Sequence, residues 1–189
     1  MQNKEWILAG FFAGFTVLGT FFRIPFGMVP LTLHVLMVLL SGFVLGPKFG
    51  MFSQIIFLLL GLAGLPVFSG GGGIGYIFSP TFGYLLSYPI AAWIVGHISG
   101  GGRESFPRFA VSALAGIAVI YILGTSVLYL NINYLAGKEL GFYQAVTMGV
   151  FPFIVPDLLK GGVASLFALK ICPLLGVRRH LIAGEISKS

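Results

Sequence analysis

Six long apolar runs, separated by short polar or glycine-rich breaks, constrain this chain of 189 residues more than any other feature. A helix needs about 20 mostly apolar residues to cross the hydrocarbon core of a bilayer, and only 8% of the chain is charged. Membrane spans of this kind are helical, because the open edge of a sheet would leave backbone groups unpaired in lipid. The sequence therefore predicts an all-α integral membrane protein, one membrane domain over residues 1–189, with six transmembrane helices at residues 6–22, 29–45, 51–66, 81–98, 109–130 and 151–169.

Lysine and arginine are distributed unevenly between the breaks. Short cytoplasmic loops retain these residues, so their bias orients a membrane protein. With the N-terminus inside, only Arg23 and Lys138 fall in outer breaks, and Lys160 falls within a span. We therefore expect both termini to be cytoplasmic. We attribute the excess of basic over acidic residues to membrane topology and to contact with lipid head groups rather than to nucleic-acid binding. The inner side then carries the other eight: Lys4, Lys48, Arg103, Arg108, Lys170, Arg178, Arg179 and Lys188.

Catalytic and metal-binding motifs are missing from the sequence. It has no G-x-x-x-x-G-K-[ST], and therefore no P-loop for ATP. It has no H-E-x-x-H and no Cys/His cluster, and its single cysteine, Cys172, excludes a disulfide framework. We expect no enzyme, no metal site and no cofactor, so that energy for any transport has to come from a partner or from a gradient.

Four consecutive glycines follow the third apolar run. The last of them begins a G-x-G pattern. A nucleotide-binding loop would, however, need a βαβ unit, which a helical bundle does not offer. Residues without a Cβ allow the backbone to approach a ligand closely. A flexible outer connection also fits this composition, although the aromatic residues around it favour a ligand-covering loop. The glycines are Gly70, Gly71, Gly72 and Gly73.

Asp157 and Lys160 lie together inside the sixth apolar run. Residues three apart share a helix face, and ionisable residues inside membrane spans are usually functional. The alternative is an ion pair that neutralises itself and packs the bundle. Because a carboxylate only accepts hydrogen bonds and an ammonium only donates them, the pair suits a small ligand with both N–H donors and an oxygen acceptor, such as a vitamin, in an outward-facing cavity.

Small residues recur every four positions in the first run. Ala9 and Ala13 form one such pair, and Gly10 and Gly14 form another. A small-xxx-small pattern lets two helix backbones approach closely. On the pattern alone, packing within the bundle is at least as good an interpretation as contact with a partner.

Three stretches of the chain resemble one transporter family. "MVPLTLHVLMVLLSGFVLGPKFG", "IFLLLGLAGLPVFSGGGGIGYIFSPTFGYLLSYPIAAWIVG" and "VPDLLKGGVA" are similar to the corresponding stretches of the BioY family, the biotin-specific substrate-binding (S) components of energy-coupling factor transporters. The resemblance implies a six-helix protein of the prokaryotic plasma membrane that binds biotin from outside. It also implies two kinds of partner, a transmembrane coupling subunit and two cytoplasmic ATPases.

The resemblance implies site residues as well. Asp157 and Lys160 are carried over as ligand contacts, and a nearby wall or cap comprises Gly70 to Gly73, Ser79, Tyr84 and Tyr88. Relatives commonly read V-P-x-T-x-Q where this chain has Val29 to His34, so that Thr32 and His34 are carried over as further ligand-site residues, although His34 departs from the motif. His34 either keeps a hydrogen-bonding role in the site or is a buried histidine with its own partners, and a single histidine favours the second interpretation slightly. S components also resemble one another in an A-x-x-x-A that docks the coupling subunit, which assigns that role to Ala9 and Ala13.

Two readings from other classes remain open on the sequence. One is a small oligomeric secondary transporter in which Asp157 is a proton site. The other is a structural bundle or a membrane-enzyme subunit, which would bind no vitamin.

Overall fold

The computed structural model describes residues 2–25, 29–101 and 104–175, and they form a bundle of α-helices. Within those ranges the backbone pairs in β fashion only at two isolated bridges, Ile24 with Leu31 and Phe68 with Gly71. The predicted all-helical class is confirmed. The helices are α1 (Gln2–Phe21), α2 (His34–Leu62), α3 (Phe82–Gly100), α4 (Phe106–Leu130), α5 (Phe142–Gly149) and α6 (Phe151–Leu175).

Helix α2 is a hairpin of two helical arms, 34–45 and 47–62, that reverses at Gly46. The φ of Gly46 is 74°, a left-handed value that glycine adopts freely, and Pro47 follows. Gln54 Nε2 lies 3.2 Å from Ser41 Oγ, whereas residues 13 apart on a straight helix would be separated by about 20 Å. The two arms are therefore antiparallel, and the break predicted at residues 46–48 is the point where the chain turns.

Several helix ends meet at the Gly46 turn. The Trp6 ring at the start of α1 lies 5.4 Å from that of Phe49. Near the end of α6, Cys172 Sγ is 3.4 Å from Phe43 O. Gly96 of α3 abuts the backbone at Gly46 and Pro47, with no room for a Cβ. The basic residues Lys4, Lys48, Arg108 and Lys170 thus belong to one end of the bundle, while both termini, Arg103, Arg178, Arg179 and Lys188 lie outside the described residues.

Among the described residues, three helical stretches are long and apolar enough to cross a membrane by length and composition: His34–Leu62, Phe106–Leu135 and Phe142–Leu174. The first of these is the α2 hairpin, so its length does not measure a single crossing. Between α4 and α6 the sequence predicts only a break, but the structure has a π-helical turn, Asn131–Leu135, and the short helix α5.

Helix α1 packs chiefly against α2, and this corrects the prediction for its small residues. Ala9 and Ala13 are 0% and 1% exposed and belong to the core of the chain itself. Their side chains are therefore not available to a partner, and the packing interpretation is the arrangement observed. The outward face of α1 instead carries Gly10 and Gly14, where a Cβ would meet nothing within 4 Å.

Candidate functional site

Asp157 and Lys160 form an ion pair one turn apart on α6. Lys160 Nζ donates to Asp157 Oδ1 at 2.7 Å, and the two side chains are 13% and 4% exposed. The pair is buried among apolar residues, so neither charge has full access to solvent. The sequence spacing alone accounts for this contact, since residues three apart on a helix are neighbours.

Tyr121 of α4 completes the polar group. Its hydroxyl donates to Asp157 Oδ2 at 2.8 Å, so that both carboxylate oxygens have a donor from the protein. The sequence analysis missed this residue. Its position in the sequence could have indicated it. Tyrosine in membrane helices is usually found at the membrane interface, whereas Tyr121 lies nine residues inside the end of α4 at Leu130.

A cavity opens at this polar group. Its empty volume, including the part open to solvent, is about 360 Å³. Four of its lining residues come from the segment that leads into α2 and from the start of that helix, and the others come from α3, α4 and α6. The lining consists of Val29, Pro30, Thr32, Val35, Tyr84, Tyr88, Ile120, Tyr121, Phe153, Asp157 and Lys160.

The structure thus brings five of the predicted site residues to one cavity: Thr32, Tyr84, Tyr88, Asp157 and Lys160. The Tyr84 hydroxyl donates to Gly149 O at 2.8 Å and is 3.3 Å from Thr125 Oγ1. It therefore ties α3 to the junction of α5 and α6. Tyr88 is buried beside the rings of His34 and Phe57.

His34 does not line the cavity. Its Nε2 lies 2.7 Å from Thr20 Oγ1, and the Thr20 hydroxyl also donates to Val67 O at 2.7 Å. Since a hydroxyl has one proton, that proton goes to Val67, and His34 Nε2 must be the donor to Thr20. His34 is therefore a buried, hydrogen-bonded histidine that links the end of α1, the start of α2 and the segment after α2.

The glycine-rich loop does not line the cavity either. It folds back on the end of α2, where Gly73 N donates to Gly61 O at 2.7 Å. A Cβ on Gly72 would lie 3.0 Å from Gly61 O and closer still to the Leu65 carbonyl. Gly70 packs beside the Tyr76 ring, and Gly71 and Gly73 have positive φ. Gly72 is therefore needed for close backbone packing at the helix end, whereas Gly71 and Gly73 are needed for a positive φ that glycine adopts freely.

Two further contacts hold this loop. Ser79 Oγ lies 2.9 Å from Thr81 Oγ1, and Arg23 donates to the Ser69 carbonyl. At the base of the loop, the Phe68 ring is 5.5 Å from that of Phe57, which in turn stacks on Tyr88. The loop therefore reaches the cavity wall through one layer of aromatic rings.

Metal binding finds no support in the described ranges, where no three His, Cys, Asp or Glu side chains gather as a metal site requires. Fold and cavity together define a class, a bundle of apolar helices with a cavity at a buried ion pair.

Comparison with known proteins narrows the class to a family. The BioY family model matches residues 1–177. A Pyrococcus horikoshii protein described as a probable biotin transporter BioY is 40% identical, over 90% of this chain and 98% of the relative. The biotin transporter BioY of Thermotoga maritima is 37% identical, over 89% of this chain and 95% of the relative. The chain belongs to the BioY family.

A solved structure shows the same fold. The crystal structure of the S-component for biotin from an ECF-type ABC transporter matches with a TM-score of 0.79, and covers 90% of this chain and 91% of its own. At 24% sequence identity this match shows the fold alone.

Proposed function

We propose that this chain is the biotin-binding S component of an energy-coupling factor transporter, which captures biotin from outside the cell. Its membership of the BioY family and the names of its relatives support this function. The observation that carries it is the cavity at Asp157, Lys160 and Tyr121, where a buried and neutral polar group meets apolar walls.

The chemistry of this polar group fits biotin. After its bond to Asp157, the Lys160 ammonium has two N–H donors left, and the Asp157 carboxylate has lone pairs left. The ureido ring of biotin offers two N–H donors and a carbonyl acceptor, and its carboxylate offers further acceptors. The aromatic and aliphatic walls then bury the apolar parts of the ligand, as in other small-molecule sites.

The membrane arrangement that we propose has six crossings: α1, the two arms of α2, α3, α4 and α6. Both termini are then cytoplasmic, in the plasma membrane of a prokaryotic cell, and residues 1–189 form one membrane domain. The bias of lysine and arginine toward the end of the bundle with the Gly46 turn supports this orientation. The cavity lies toward the opposite end, since Asp157 is six residues from the start of α6.

ATP hydrolysis is assigned to partners, namely two cytoplasmic ATPases joined through a transmembrane coupling subunit. We place the docking surface for the coupling subunit on the outward face of α1. There Gly10 and Gly14 form the floor of a groove whose apolar walls are Ile7, Phe11, Phe15 and Leu18. Helix backbones approach closely at such glycines, whereas the remaining apolar surface of the bundle faces lipid.

Titration of the purified chain with biotin, riboflavin and thiamine by calorimetry tests the binding function. We expect saturable one-to-one binding of biotin and no binding of the other two vitamins. Absence of biotin binding by folded protein would overturn the proposal. Uptake by the lone chain in liposomes, driven by a pH gradient without ATP, would instead favour the secondary transporter.

A further inference from the structure

Tyr121 is joined to the proposed ligand site through Asp157, which lies on a different helix. Its hydroxyl bonds to Asp157 Oδ2 at 2.8 Å across the contact between α4 and α6. It also lines the same cavity as Asp157 and Lys160. The function proposed above counts Tyr121 in the polar group but does not say what it does there.

We propose that Tyr121 is a positioning residue that determines which ligand groups Asp157 can bind; this inference rests on the biotin-binding function proposed above. A carboxylate has about four lone-pair positions on two oxygens. Lys160 bonds to Oδ1 and Tyr121 bonds to Oδ2. The carboxylate is thus held from both ends, so that its plane and its remaining lone pairs have one direction relative to the cavity.

The same bond determines what Tyr121 presents to a ligand. A phenol has one proton, and here that proton is directed at Asp157. Tyr121 Oη can therefore only accept further hydrogen bonds, as the carboxylate does. The α4 side of the polar group selects ligand N–H donors, while Lys160 is left to bind ligand oxygen.

Biotin titration of the full chain with Tyr121→Phe tests the proposal. The variant removes one oxygen from a half-buried position at the cavity wall and one donor from Asp157, so we expect the ligand-free protein to fold with a modestly lower melting temperature. We expect biotin affinity to fall by roughly 10- to 100-fold, the factor that corresponds to one hydrogen bond to a charged group. Tyr129→Phe is the matched control, because Tyr129 lies on the same helix and packs against Phe142 outside the cavity lining.

A double-mutant cycle with Asp157→Asn separates positioning from other roles. If Tyr121 acts through the Asp157 carboxylate, Tyr121→Phe should cost only a few-fold in the Asp157→Asn background, since the bond to a charged group is already lost. An equal loss of affinity in both backgrounds would show that Tyr121 acts independently of Asp157 and would overturn the proposal.

The remaining outcomes are also decisive. If the wild-type chain binds biotin and Tyr121→Phe binds it equally well, the positioning role is overturned while the proposed function stands. If Tyr121→Phe fails to fold, its hydroxyl is a structural tie between α4 and α6, and the positioning role is again overturned. If the wild-type chain binds no biotin, the proposed function fails and this inference fails with it.

Discussion

Two opposite charges lie one turn apart on α6, in a cavity whose other lining residues are uncharged. Removing charges from water costs several kcal/mol per ion, and mutual attraction only partly offsets this cost. Asp157 gains a second donor from Tyr121, which satisfies both of its oxygens. The pair still has N–H donors on Lys160 and lone pairs on Asp157 to offer, so it is suited to bind a ligand that carries both oxygens and N–H groups.

Substitutions in this pair should weaken biotin binding. Asp157→Asn keeps the size of the side chain but replaces an acceptor oxygen with a donor, and Lys160→Ala removes the balancing charge. Truncating one partner of a buried charged contact typically costs about 2–5 kcal/mol, which corresponds to roughly 30-fold or more in affinity. Calorimetric titration of purified variants measures the effect.

Lys170→Ala provides a control for the loss of a lysine on the same helix, because Lys170 lies at the other end of α6 and outside the cavity lining. If Asp157→Asn and Lys160→Ala both fold and bind biotin as the wild type does, the pair is structural.

Helix α1 is held to α2 by small apolar contacts and by two buried polar links. One link joins Thr20 to His34. In the other, Gln54 Nε2 lies 3.2 Å from Thr16 Oγ1, 3.2 Å from Ser41 Oγ and 3.1 Å from Ser53 Oγ, so that this one amide bridges α1 and both arms of α2. Because Gln54 is fully buried, its amide has no water to replace these partners.

Gln54→Leu should therefore lower the thermal stability of the chain. Interhelical hydrogen bonds in membrane proteins contribute about 0.6 kcal/mol each on average, so loss of the amide should cost roughly 1–2 kcal/mol. Thermal unfolding in detergent measures this change, and biotin affinity should stay close to that of the wild type. Ser126→Ala is the control, since the exposed Ser126 hydroxyl donates only to Ile122 O of its own helix. Equal melting temperatures for both variants would contradict the assigned role of Gln54.

The two faces of α1 should respond differently to the same substitution. Gly14→Leu adds a side chain where a Cβ has open space. We expect normal stability and biotin binding in the isolated chain, with loss of co-purification with the coupling subunit and of ATP-dependent uptake. Ala13→Leu overpacks a buried contact with 1% exposure, which typically costs about 1–3 kcal/mol. It should lower the melting temperature of the isolated chain.

Normal assembly and uptake with Gly14→Leu would show that this face of α1 docks nothing.

At the scale of the whole molecule, the α2 hairpin determines which end of the bundle each of the other helices begins or ends at. Because the arms reverse at Gly46, the start of α1 and the ends of α3 and α6 all reach the same end of the bundle. In the membrane arrangement proposed above, the basic residues of that end lie on one side of the membrane, as the positive-inside rule predicts.

Single cysteines test this orientation. In a Cys172→Ser background, Lys48→Cys should be labelled by a membrane-impermeant maleimide only in opened cells, whereas Lys138→Cys should be labelled in intact cells. Both positions are exposed. Labelling of Lys48→Cys alone in intact cells would reverse the orientation and would place the cavity on the cytoplasmic side.

Local features of the sequence determined the helical class, the break at Gly46 and the Asp157–Lys160 contact, because each depends on residues a few positions apart. Apolar run length predicts a helix in lipid, and a spacing of three predicts neighbours on its face. The family resemblance added Thr32, Tyr84 and Tyr88, which the structure brings to the cavity.

Only the tertiary structure determined which side of each helix packs against which neighbouring helix. Tyr121 meets Asp157 across 36 positions of chain, and Gln54 and His34 find their partners in α1. The inward direction of Ala9 and Ala13 follows from the side on which α2 packs, and the same repeat spacing would serve either face. Such pairings depend on helix rotation and on long-range contacts, and neither leaves a period in the sequence of one helix.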